Sequence, residues 1–348
     1  MNLIKQIIPF FLLIVFGFKC STEVKKSPVI VEQKINGISI AAGPQLFDST
    51  DVQQWKKINS NWVCFMPFGF IDESTGHIFF DQKNQWKGET KEGICHSIAF
   101  AKKHSLHIFI KPQLWSGHGS YTGNIAFDET SEQWQNFKTE YKKFVGLYIK
   151  IADSLKCNLF SIGTELNSLV TGHPDYWNNL IDEFSTYSIP LTYAENWDSY
   201  DKVPFWSKLN FIGVNAYFPV SNEKKCSPST LKKNWNEIIG KLETTSSINN
   251  KPILFTEFGY RSIDYCGKEP WDFSKEQKIN YENQRLCIES LFSNCWDKSW
   301  FAGGFLWKEY GHQHPSEMDG SSDFTVFGKA AEKTIAEHYL KAKNQIKD

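Results

Sequence analysis

The chain has 348 residues, with 38 Lys and Arg against 39 Asp and Glu, a formal net charge of −1, and 41% hydrophobic and 16% aromatic content. That much apolar surface offsets chain entropy and excludes disorder over most of the length, while the lack of a Lys and Arg excess argues against nucleic acid as a partner. The 13 Trp, 13 Tyr and 28 Phe exceed what a core of this size requires, so some of them are expected to line a site.

The first segment in chain order does not belong to the fold. Lys5 precedes an apolar run over residues 7–18, too short to span a bilayer and of the length of a signal-peptide hydrophobic region. Cys20 follows directly, then the polar stretch 21–28, an arrangement resembling a bacterial lipoprotein processing site. Gly17-Phe18-Lys19 departs from the small residues usual before such a cysteine, and ordinary secretory cleavage is the alternative. Residues 1–19 therefore read as a signal peptide, 20–35 as a polar tether and 36–348 as a single folded domain. The protein is expected to be exported to the periplasm or cell surface, touching the membrane only through a lipid on Cys20.

Past the tether, short apolar runs recur at 37–42, 62–67, 106–111, 158–163, 190–194, 211–216, 252–256 and 302–307. Between them lie stretches with apolar residues at three-to-four spacing: 89–104, 129–156, 175–187, 229–244, 274–296 and a closing 327–341. Strands alternating with helices mean parallel βαβ units, and eight of them with a closing helix fit a (β/α)8 TIM barrel of the α/β class. The 195–210 connection has room only for a brief helix. An open doubly wound sheet is the rival, but no Gly-rich phosphate loop follows any strand, so no nucleotide cofactor is implied.

Seven cysteines follow Cys20, with no C-x-x-C pair, so neither a zinc ribbon nor a thioredoxin-like motif is present and no metal is implied. Cys64 and Cys157 lie in apolar runs and read as small buried hydrophobes. Cys226 and Cys266 fall in polar loops, where an oxidising compartment would permit a disulfide between them. His312 and His314 lack a third ligand at helical spacing and read as a solvated loop.

In such a barrel the chemistry sits at the C-terminal strand ends. Two carboxylates each follow an apolar strand without a break: Glu165 ends the fourth and Glu257 the seventh. Singly, either could be a solvated helix cap; together they suit a paired-carboxylate hydrolase, one protonating a leaving oxygen and the other attacking or stabilising the sugar carbon. Glu195, Asp198 and Glu309 sit beside polar loop residues and are expected to be solvated or to support neighbouring groups. Sugar rings pack C–H faces on indole while their hydroxyls seek polar partners. Trp115, Trp197 and Trp307 with Asn196, Asn215 and Lys111 form a saccharide-compatible set, although any one Trp could equally be core.

The segments Phe65-Met66-Pro67-Phe68-Gly69-Phe70, Lys111-Pro112-Gln113-Leu114-Trp115, Ile162-Gly163-Thr164-Glu165-Leu166, Thr192-Tyr193-Ala194-Glu195-Asn196-Trp197-Asp198, Gly213-Val214-Asn215-Ala216-Tyr217 and Phe255-Thr256-Glu257-Phe258-Gly259-Tyr260 together resemble glycoside hydrolase family 113. The resemblance spans roughly residues 36–310. It implies a retaining (β/α)8 glycosidase, mainly of the endo-β-1,4-mannanase type, acting without cofactor on β-mannan or a related oligosaccharide. Glu165 would be the general acid/base and Glu257 the nucleophile, with Tyr217 hydrogen-bonded to the nucleophile and Trp307 under the reacting sugar. Thr164 stands where the wider clan usually has Asn before the acid/base. The same chemistry on another β-linked glycan, or a non-catalytic glycan-binding lipoprotein, are the rivals; two desolvated carboxylates in one mouth argue against the second.

If Cys20 carries lipid, Cys20→Ala should release soluble protein into the periplasm or medium, because the acyl chains that supply stable anchoring are lost. Membrane fractionation identical to the parent would refute the anchor.

Overall fold

The computed structural model describes residues 33–117, 120–274, 277–311 and 322–344. The apolar run before Cys20, Cys20 itself, His312 and His314 lie outside the described residues. No helix among the described residues is long and apolar enough to cross a membrane.

The first half of the chain forms β1 (Ile35–Ala41), α1 (Ser49–Lys57), β2 (Trp62–Phe65), β3 (Phe68–Asp72), β4 (His77–Phe80), α2 (Lys91–Lys103), β5 (His107–Ile110), β6 (Gln113–Ser116), α3 (Glu132–Ser154) and β7 (Leu159–Thr164). The second half adds α4 (Asn167–Gly172), α5 (Pro174–Phe184), β8 (Leu191–Asn196), β9 (Ile212–Asn215), α6 (Pro228–Asn249), β10 (Ile253–Phe258), α7 (Tyr281–Cys295), β11 (Phe301–Tyr310) and α8 (Ala330–Asn344). Eight parallel strands close into a barrel in the order β1-β11-β10-β9-β8-β7-β5-β2. These are the eight runs expected from the sequence, and the fold is a (β/α)8 TIM barrel. The β8 to β9 connection holds only two single-turn 3-10 helices, Tyr200–Lys202 and Trp206–Lys208.

Local chemistry places the helix starts. Thr90, Ser131 and Ser227 accept hydrogen bonds from the third backbone N–H of α2, α3 and α6, and Pro228 occupies the first turn of α6, where no N–H is needed. The helix expected over 274–296 begins only at Tyr281. Asn280 caps it by accepting from the Asn283 N–H at 3.0 Å, and the chain before it runs extended where Ile279 bridges Ile263.

The core has two parts. Inside the barrel, Ile35, Cys64, Met66, Phe109, Leu159, Leu254 and Phe305 fill the lumen, with the Phe109 and Phe305 rings 4.9 Å apart. Between barrel and helices, a larger shell buries Trp55, Trp134, Trp177 and Trp235 among aliphatic residues. Most of the aromatic excess is therefore structural, and a minority reaches the cleft.

A second sheet not anticipated from the sequence, ordered β4-β3-β6, sits above β2 and β5. The chain passes from β2 to β3 and from β5 to β6 through Pro67 and Pro112. Proline has no N–H to give a ladder, so each barrel strand ends there and a new pairing begins, with the Gln113 N–H on the Pro67 carbonyl at 3.0 Å. In the new sheet Phe70 pairs with Trp115, and both rings are exposed.

Barrel closure depends on Gly303, which pairs with Ile35 at φ +111°, a conformation open to glycine. A Cβ there would stand 2.2 Å from the Ile35 carbonyl oxygen. Gly303→Ala is therefore expected to cost about 3 kcal/mol through strain and overpacking. A urea-unfolding midpoint equal to the parent's would show that the β1–β11 seam is not as described.

Candidate active site

At the C-terminal mouth of the barrel lies a cleft of about 770 Å³ with Glu165 and Glu257 in its lining. Glu165 is the residue just past β7, and Glu257 is the fifth residue of β10. The ladders on both strands shift register near these residues, between Ser161 and Thr164 and between Phe255 and Glu257. Such irregularities at barrel rims re-aim side chains. Glu165 also has φ +50°, a left-handed conformation that costs a non-glycine residue on the order of 1 kcal/mol or more. Its neighbours hold it there: the Glu165 N–H donates to the Ala194 carbonyl at 2.8 Å, and the Leu166 N–H donates to the Tyr193 hydroxyl at 2.7 Å.

The two carboxyl groups have different surroundings. Glu257, 4% exposed, receives three donors: the Tyr217 hydroxyl on Oε2 at 2.7 Å, Gln113 Nε2 on Oε1 at 3.2 Å, and Lys111 Nζ, which forms an ion pair with Oε1. Glu165 is half-buried and receives one side-chain donor, Asn215 Nδ2 on Oε1 at 2.8 Å. Desolvation at the cleft floor, then the like charge of Glu257, push its pKa up to about 8, against the smaller opposing effects of Asn215 and Lys111. One carboxyl is thus held as the partner of a cation and the other keeps its proton at neutral pH. Side by side, they can give a proton to one atom of a ligand while presenting an anionic oxygen to another.

The remaining residues singled out in the sequence divide into two groups. Lys111 and Asn215, expected to meet sugar hydroxyls, are 0% and 1% exposed. Their polar atoms are already engaged: Lys111 with Glu257, and Asn215 with Glu165 on one side and the Thr256 hydroxyl, 2.8 Å from its Oδ1, on the other. They support the carboxylates from behind. Trp115, Asn196, Trp197, Tyr217 and Trp307 all line the cleft. Trp115 is 52% exposed, and Lys111 Nζ lies 5.3 Å from the Trp307 ring centroid. Asn196 accepts from the Trp197 N–H at 2.9 Å and donates to the Tyr121 hydroxyl at 3.2 Å.

Glu195 is fully buried and accepts from the Tyr193 hydroxyl, the Asn196 N–H and the Ser199 hydroxyl at 2.8–3.2 Å. Burial raises its pKa to about 7. Through Tyr193 it orients the backbone at Leu166, next to Glu165. Asp198 lines the cleft, and Glu309 accepts from the Thr325 hydroxyl.

Among the cleft residues not singled out from the sequence are Gln113, Tyr121, Trp271 and Phe273. Gln113 lies two residues beyond Lys111, past the strand-ending proline. Tyr121, Trp271 and Phe273 come from loops without periodicity, where only the density of aromatics in otherwise polar sequence could have marked them. Trp271 stacks on Trp197, centroids 5.1 Å apart and planes 23° from parallel, making a two-indole wall.

The model of Glycoside Hydrolase Family 113 matches residues 47–329. Among solved structures, the fold is similar to that of a family 113 β-mannanase from Alicyclobacillus acidocaldarius, with 21% identity and a TM-score of 0.75 over 89% of this chain and 98% of that one. A second family 113 β-1,4-mannanase gives 22% identity and a TM-score of 0.76 over 88% and 99%. A β-glucuronidase from Ruminococcus gnavus shares the barrel at 14% identity and a TM-score of 0.59, over 90% of this chain and 50% of that one. No curated protein matches the sequence.

The raised pKa of Glu165 makes a stability prediction independent of any substrate. As pH rises above the ordinary 4.5, the unfolded chain releases this proton first, so the folded state loses stability until its own carboxyl ionises near 8. Glu165→Gln removes that loss. The variant's urea midpoint should gain on the parent's from pH 5 to pH 8, while a constant difference across that window would refute the shift.

Proposed function

The chain belongs to glycoside hydrolase family 113, and on that premise we propose that it cleaves β-1,4-mannosidic bonds in mannan or manno-oligosaccharides by a two-glutamate double displacement. The observation that carries this reading is the asymmetry of the two carboxyls. Glu257, ion-paired and held by Tyr217 and Gln113, suits the nucleophile. Glu165, with its pKa at about 8, suits the acid.

In the first step a Glu257 oxygen forms a bond to the anomeric carbon as the bond to the leaving oxygen breaks, and Glu165 gives its proton to that oxygen. Esterification removes the charge of Glu257. Since that charge is one of the causes raising the Glu165 pKa, the carboxylate left on Glu165 becomes more stable. In the second step it takes a proton from water as the water oxygen attacks the anomeric carbon and the bond to Glu257 breaks. Lys111 and Tyr217 receive the returning charge.

Substrate choice is supported by the cleft lining and by the β-1,4-mannanase activity named for two structures of the same fold. Trp115, Trp307 and the Trp197–Trp271 wall offer stacking faces for successive sugar rings. Export and a lipid on Cys20 complete the proposal: a polysaccharide is met outside the cytoplasm.

Two variants separate the roles. Glu257→Ala should abolish turnover of both mannan and an activated aryl mannoside. Glu165→Ala should lose mannan hydrolysis by about 10²–10⁴-fold yet release a first burst of phenolate, which leaves without protonation. Azide should then accelerate the second step and give a β-linked azide product. A burst with azide rescue in Glu257→Ala would reverse the assignment. Hydrolysis of cello-oligosaccharide or xylan in preference to mannan would overturn the substrate, and the α-anomer as first product would overturn the double displacement.

A further inference from the structure

Three cysteines converge away from the two glutamates. Cys226 lies between β9 and α6, Cys266 between β10 and α7, and Cys287 on α7. The Cys287 sulfur is 3.5 Å from that of Cys226 and 3.7 Å from that of Cys266, and all three lie within 4.8 Å of one another. All are buried, and none is in a disulfide. Two thiolates on one tetrahedral ion with metal–sulfur bonds of about 2.3 Å stand about 3.8 Å apart, so two edges of the triangle already have the dimension of one face of such a site.

A separate observation points to the same place. The Tyr260 hydroxyl is buried with no hydrogen-bond partner, although buried tyrosine hydroxyls normally have one. It lies within electrostatic reach of Cys287, Cys266 and Cys226. A cavity of about 290 Å³ beside the cluster has Cys266 in its lining, together with Asp264 and Glu269 and the cations Arg261 and Lys268.

We propose that Cys226, Cys266 and Cys287 bind one thiophilic metal ion, Zn²⁺ or Cu⁺, with the Tyr260 hydroxyl available to the fourth position directly or through a water. Sulfur ligands select these ions over harder cations. Each thiol passes its proton to solvent as its sulfur coordinates. The ion would join the β9–α6 loop, the β10–α7 loop and α7. The β10–α7 loop also carries Trp271 and Phe273, so the clip would order one wall of the cleft.

The test uses the purified protein, reduced and freed of metal under anaerobic conditions. Cd²⁺ is added while ultraviolet thiolate-to-metal charge transfer is recorded, and Zn²⁺ and Cu⁺ are titrated separately against competing chelators. One ion per chain, absorbance for three metal–sulfur bonds and a raised thermal midpoint are expected. Cys226→Ser, Cys266→Ser and Cys287→Ser should each weaken binding by more than about 100-fold, the upper end of what losing an outer-shell partner costs. Cys95→Ser, on α2, should leave affinity unchanged. No charge-transfer band in the reduced parent, or equal affinity in the serine variants, overturns the site. So does a Cys287 disulfide in the protein as isolated whose reduction brings no metal uptake. Should the serine variants fail to fold, X-ray absorption on the loaded parent decides, with a sulfur shell at about 2.3 Å expected and an oxygen-only shell overturning the proposal.

Discussion

The ion pair between Lys111 and Glu257 governs the arrangement of the mouth. Lys111 is fully buried on the strand-ending step before Pro112, and an ammonium there is tolerable only beside an anion. Its pairing sets one of two neighbouring carboxyls against a buried cation. A second ionised carboxyl in the same cleft would face both desolvation and repulsion, so Glu165 keeps its proton. Asn215 joins the two halves, donating to Glu165 while accepting from Thr256, the residue before Glu257. Trp307, with Lys111 near its ring, adds an aromatic surface that such a cation favours.

Both glutamates were legible in the sequence because each ends an uninterrupted apolar strand, and in a parallel barrel that position has one geometric meaning. The same logic picked out Trp115, Asn196, Trp197, Tyr217 and Trp307, all of which line the cleft. Lys111 and Asn215, picked out by the same rule, bond Glu257 and Glu165, because a strand-end position does not reveal whether a polar side chain faces open cleft or a neighbouring carboxylate. The β4-β3-β6 sheet escaped because its strands are only four or five residues long and two of them directly follow prolines that read as strand ends. Tyr121, Trp271 and Phe273 come from loops, whose paths are set by what they pack against. Cys287 shows the same limit: it lies 61 residues from Cys226 and 21 from Cys266, on a helix whose apolar face gives it an ordinary core reading.

The described parts of the β10–α7 connection, residues 259–274 and 277–280, are tied to their surroundings largely by side chains. Gln284 on α7 donates to the Tyr260 carbonyl at 2.9 Å and to the Phe324 carbonyl at 3.1 Å, tying the start of the loop to the segment after β11. Asn280 donates to Asp264 at 2.7 Å, and Asn283 receives the Cys226 N–H at 3.0 Å. These side-chain bonds fix the loop's ends, although Gln284 Oε1 itself is buried without a partner. Trp271, further along this loop, stacks on Trp197 from a different strand end.

Burial at Glu165 has two effects that cannot be separated. The desolvation that opposes its ionisation also lowers stability as pH climbs from 4.5 towards about 8, where the unfolded chain gives up the proton and the folded one keeps it. The left-handed backbone at the same residue adds conformational cost. Both are tolerated because the flanking groups are over-determined: the Glu165 N–H is fixed on β8, the Leu166 N–H on Tyr193, and Tyr193 in turn on the buried Glu195. The rigid barrel below supplies the stability, and the rim uses part of it to keep one proton where water alone would not leave it.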